Sequence, residues 1–75
     1  MSTNIISNYC MIKINDARKE NKKEILVNSK EPIIDKFFDE ANAQVLSECV
    51  RDINGMGCTA RIMDNKDIHI TLWVN

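Results

Sequence analysis

The 75-residue sequence predicts a single-domain α+β fold. The expected architecture is an antiparallel sheet of about four strands in β-β-α-β-β order, with one long helix packed on one face. Three observations carry this. "NYCMIKIN" near the start and "CTARIMDNKDIHITLWVN" at the end alternate apolar and polar residues, the period of a half-buried strand. Between them, apolar residues from Ile34 to Ile53 recur at threes and fours, the period of a helix. Only two glycines and one proline occur, so no linker divides the chain, and no repeat or low-complexity segment is visible.

Residues 1–7 precede the first pattern and are expected to be a disordered tail or to fold back on the sheet. The first strand is expected over Asn8–Asn15, where Cys10, Ile12 and Ile14 alternate with Tyr9, Met11 and Lys13. The polar run Asp16–Lys23 then reads as a long hairpin connection. "EILVN" follows as a short second strand, with Ile25 and Val27 inward and Leu26 outward.

One helix is expected from Pro32 to Asn54. Ser29 or Glu31 can cap its start, and proline suits a first turn. Glu31 and Asp35 stand where the positive end of the helix dipole favours acids. Ile34, Phe37, Phe38, Ala41, Val45, Cys49 and Ile53 form one apolar face, widened by Leu46 and Val50. Gly55 suits a left-handed stop, with Met56 folding back onto Val50. Such a helix is about 34 Å long against about 23 Å for a seven-residue strand, so one end overhangs the sheet.

In the closing hairpin, Cys58, Ala60, Ile62, Ile68, Ile70, Leu72 and Val74 share one face. Thr59, Arg61, Met63, His69, Thr71 and Trp73 share the other. Keeping the isoleucines together requires an odd number of loop residues at "DNKD", so a three-residue loop or a bulge is expected.

Composition narrows the function. With 44% hydrophobic and 28% charged residues the chain is of globular type. A net charge of −1 argues against a general polyanion binder. The charge is uneven, however: residues 1–30 hold six bases against three acids, and residues 31–75 four against eight. The three cysteines make no CxxC pair, and the N-terminal residues lack the basic and apolar regions of a secretory leader. The expectation is a cytoplasmic protein with reduced thiols. No apolar run approaches the ~20 residues that span a bilayer, so no membrane role is expected.

No metal, cofactor or catalytic group is expected either. Cys10, Cys49, Cys58 and the single His69 lack the closely spaced ligand pairs of a structural zinc site. The cysteines also fall on the core side of the pattern and His69 on the other, which removes a Cys–His catalytic pair. Glu48 with Asp52, and Asp35 with Asp39, are one helical turn apart on a solvated face, where carboxylates keep ordinary chemistry.

The outer sheet face is the functional lead. Tyr9, Met11, Leu26, Met63 and Trp73 are expected to gather there with Arg61 and His69. Trp, Tyr, Met and Arg are the side chains enriched at protein interfaces. The sequence thus predicts a small non-enzymatic protein-binding module, of adaptor, inhibitor or phage or bacterial modulator type. Its expected partner is another protein or a second copy of itself in a homodimer, with Trp73, Met63, Met11, Tyr9, Arg61 and His69 as contacts. The alternative is single-stranded nucleic-acid binding, with the basic loop Arg18, Lys19, Lys22 and Lys23 beside an aromatic sheet face.

Overall fold

The computed structural model describes residues 4–73. Six elements follow one another: α1 (Ile5–Lys19), β1 (Glu24–Val27), α2 (Asp35–Glu40), α3 (Ala43–Asn54), β2 (Cys58–Ile62) and β3 (Ile68–Leu72). The α+β class and the single antiparallel sheet agree with expectation. The β-β-α-β-β order does not, and the sheet has three strands in the order β1-β3-β2 rather than four.

The difference begins at Asn8–Asn15, expected as a strand but lying inside α1. "NYCMIKIN" satisfies both periods, since Cys10 and Ile14 are an even number of residues apart and also one helical turn apart. The neighbouring residues decide. Ile6, Cys10, Ile14 and Ala17 are all buried, a stripe at four, four and three residues, whereas Ile12 is 59% exposed. Asn4 caps the helix, its side chain accepting the Ser7 N–H at 3.1 Å. Asn4–Ser7 are therefore the cap and first turn of a helix and not a tail; residues 1–3 lie outside the described residues. Asp16–Lys19, expected in a hairpin connection, complete α1, leaving only Glu20–Lys23 to reach β1. Asn21 makes that turn at φ 59°, a conformation asparagine tolerates better than most residues.

The long helix is two helices. Ala41 and Asn42 are extended (Asn42 φ −88°, ψ 177°), and the Asn42 side chain accepts the Val45 N–H at 2.9 Å to start α3 afresh. The apolar spacing runs straight through Phe38, Ala41 and Val45, so periodicity alone cannot reveal the break. Asparagine's habit of bonding nearby backbone is the signal that opposes a continuous helix. The end of α2 is closed from outside: Lys66 Nζ donates to Phe38 O and Ala41 O, both at 3.1 Å. The 12 residues of α3 span about 18 Å, close to about 17 Å for a five-residue strand, so the expected overhang disappears. Gly55 is not left-handed (φ −81°); that conformation falls to Gly57, at φ 77°.

β3 is the central strand. Its register pairs Ile25 with Ile70 on one side and Ala60 with Ile70 on the other. The hairpin loop from Met63 to Asp67 has an odd number of residues, as the facing argument requires, but five rather than three. Met63 N–H bonds Asp67 O at 2.7 Å across its mouth, and Lys66 adopts φ 72°. The inner face follows the expected pattern, with Cys58, Ala60, Ile68, Ile70 and Leu72 buried beneath α1 and α3. Ile62, at the end of an edge strand, is 39% exposed, and Val74 lies outside the described residues. Phe38 fills the remaining gap from α2 and has no exposed surface.

Candidate protein-binding face

Because side chains alternate across a strand, Glu24 and Leu26 of β1, His69 and Thr71 of β3, and Thr59 and Arg61 of β2 share the outer face. The register aligns them in two rows, Glu24–Thr71–Thr59 and Leu26–His69–Arg61. Met63 and Trp73 continue the same parity beyond β2 and β3. Among the described residues no helix covers this side, and Leu26, Met63 and Trp73 are 54%, 45% and 60% exposed.

Trp73 is exposed but not loose. Its backbone N–H bonds Gly57 O at 3.1 Å, extending the β2–β3 ladder, and its indole Nε1 donates to Thr59 Oγ1 at 2.9 Å. The hydroxyl one register step inward therefore fixes the orientation of the ring. His69 is half-buried in the middle of the face, with Nε2 3.6 Å from Glu24 Oε1. Arg61, its cross-strand neighbour, is exposed.

The structure separates the expected contact set. Trp73, Met63, Arg61 and His69 share the outer face. Tyr9 and Met11 do not: both belong to α1, which packs on the opposite side of the sheet, and both are half-buried. The Tyr9 ring rests against the core, with the Lys13 ammonium 5.2 Å from its centroid. The reason is the helical period of α1, which no longer turns alternate residues to a sheet face. Thr59, the anchor of the indole, and Glu24, the partner of His69, acquire their roles from the register and were not singled out in the sequence.

The basic residues of the alternative also become clearer. Leu72 N–H bonds Lys23 O at 2.8 Å, so continuing the β1–β3 register one step brings Lys22 level with Trp73. Arg18 Nη2 donates to Met56 O at 2.6 Å and Gly57 O at 3.4 Å, beside the same end of the sheet. Lys22 also pairs with Glu20 at 3.8 Å, and Lys19 stays in the last turn of α1.

The three thiols meet in the core with no exposed surface. Hydrogen bonding to Cys49, followed by burial, pushes the Cys10 thiol far above its ordinary range. Burial raises Cys58 as well, against the pull of Arg18. Its Sγ lies 3.0 Å from Ile53 O, to which it donates. The same hydrogen bond draws the Cys49 thiol below its ordinary value, so it is enclosure, with no exposed surface on any of the three, that keeps them from acting as nucleophiles. Among the described residues no group of three or more His, Cys, Asp or Glu side chains is placed to hold a metal ion. A cavity of about 300 Å³ between the start of α1, α2 and α3 is walled by Ile5, Phe37 and Val45 and fringed by Glu40 and Glu48. It contains no nucleophile or base beyond those solvated carboxylates. No helix among the described residues is long and apolar enough to cross a membrane. No family model, curated protein or solved structure matches the chain.

Proposed function

We propose that the chain is a small protein-binding module, acting as an adaptor, inhibitor or modulator in the cytoplasm, that engages a protein partner or a second copy of itself through the outer sheet face. One observation carries this reading: Trp73 is 60% exposed yet held in one orientation by its bond to Thr59. A large apolar ring that is already ordered loses little freedom on docking, and such rings dominate the binding energy of interfaces. Leu26 and Met63 add apolar surface around it, and Arg61 and His69 supply polar contacts at the centre. Enclosing Trp73 contributes about 2–4 kcal/mol.

Trp73→Ala is expected to keep the circular dichroism and urea midpoint of the wild type while losing association, read by sedimentation and by capture from the native host. A wild type that stays monomeric at high concentration and captures nothing that the variant loses removes the proposal.

A second reading, single-stranded nucleic acid, draws support from the clustering of Arg18, Lys22 and Lys23 at the Trp73 end of the sheet. Bases stacking on the indole would quench its fluorescence, and salt would weaken the effect steeply. The same protein sample decides this: absence of quenching by an oligonucleotide at low salt eliminates nucleic acid and leaves the protein-binding reading standing.

A further inference from the structure

The sheet has two edges, β1 and β2, and they are finished differently. On β2 the outward N–H of Ala60 is occupied by Asn54 Oδ1 at 2.7 Å, which blocks the addition of another strand. On β1, the bond from Leu72 N–H to Lys23 O fixes which peptide groups face inward. Lys23, Ile25 and Val27 point toward β3, and by the alternation of an antiparallel ladder Glu24 and Leu26 point away from it. Beside this edge, which is open among the described residues, runs a groove of about 440 Å³ between β1 and α1, with Ala17 and Ile25 in its lining.

The charge around the groove is one-sided. Asp16, Glu20, Glu24 and Glu31 line it against only Lys13 and Lys22. Lys13 is paired with Glu31 at 3.7 Å and Lys22 with Glu20 at 3.8 Å. The Glu24 carboxylate lies on the outer face beside His69 Nε2 at 3.6 Å, so Asp16 remains as the groove's excess negative charge.

We propose that this groove takes an extended peptide bearing lysine or arginine, which adds to the free edge of β1 as a fourth strand. The peptide groups of Glu24 and Leu26 supply the main-chain hydrogen bonds, a mode of recognition that tolerates many sequences. Four residues of strand span about 13 Å, room for a segment of similar length. Alternate peptide side chains enter the groove on the side of Ile25. There the methylenes of a lysine or arginine lie along Ala17 and Ile25 while its cation reaches Asp16. The edge shares Glu24 and Leu26 with the Trp73 face but uses their main-chain groups, and it does not depend on the reading of that face.

The test titrates isotopically labelled protein with an acetylated, amidated pentapeptide of alternating valine and lysine, followed by amide NMR and hydrogen exchange. The amides of Glu24 and Leu26 are expected to shift, and exchange at Leu26 to slow by at least about tenfold at saturation. A pentapeptide of alternating valine and glutamate is expected not to bind. Asp16→Lys should weaken the lysine peptide about two- to fivefold, the range of an exposed ion pair. Leu26→Pro, which removes the outward donor at an edge position that tolerates proline, should weaken it about tenfold. Should Leu26→Pro not fold, Asp16→Lys and the wild-type titration still decide. The proposal is overturned if millimolar lysine peptide shifts nothing, because the charges of Lys22 and Glu24 then only keep the edge solvated. Equal binding of the two peptides, or shifts confined to Thr59, Arg61 and Trp73, overturns it as well. So does protection of Leu26 that rises with protein concentration alone, which would put a second copy on the edge.

Discussion

Asp67 ties the end of β1 to the β2–β3 loop. Its Oδ1 accepts the Ser29 N–H at 2.7 Å and its Oδ2 the Asn65 side-chain N–H at 3.1 Å, while Ser29 Oγ donates to Asn65 O at 2.8 Å. The Ser29 backbone bond, with the Asn65 side chain behind it, holds the Asp67 carboxyl below its ordinary 3.8. With the folded value depressed, the unfolded chain takes up a proton first as pH falls. The stabilisation is therefore complete above the ordinary value and is lost as pH drops through the lower, folded one. Asp67→Asn is expected to cost about 1–3 kcal/mol at neutral pH, and the gap between variant and wild type should narrow as the pH is lowered below 3.8. Urea midpoints at several pH values measure it; a gap that does not change with pH removes the carboxylate from this role. Nothing in the sequence announces it, because Ser29 is 38 positions away. By contrast, the outward facing of Trp73, Arg61 and His69 was legible, since parity along a strand is a local property.

At the scale of elements, legibility followed the ambiguity of short apolar patterns. β1, β2 and β3 were readable from alternation and the loop parity from the isoleucines. α1 is not legible as a helix because Cys10 and Ile14 fit both periods, and the break between α2 and α3 is hidden because Asn42 interrupts the backbone without interrupting the apolar stripe. Reversing the first element removed Tyr9 and Met11 from the candidate face. Ile12 separates the two assignments. As an exposed residue of α1, it should tolerate replacement: Ile12→Lys is expected to change stability by no more than about 0.5 kcal/mol. In a strand with Ile12 turned inward, the same substitution would bury an unpaired ammonium and abolish folding. A thermal melt of the variant distinguishes these outcomes.

Across the whole molecule, α1, α3 and the sheet close on one another through Cys10, Cys49 and Cys58. Their inward facing was expected from pattern; their meeting was not, since it depends on how two helices cross the sheet. Enclosure makes the thiols reporters of global opening. In native buffer all three should react with an aromatic disulfide reagent slower than in urea, by on the order of a thousandfold or more. Rapid modification of a cysteine in the folded protein would show that this junction opens locally.

The placing of β3 sets the order of events at the ribosome. Among the described residues β1 and β2 each bond only to β3, the last of the six elements, so neither has its strand neighbour until synthesis has passed Leu72. A nascent chain stopped before Ile68 holds helices but no ladder, and its isoleucine-lined surfaces stay open to chaperones or aggregation until translation delivers the missing strand.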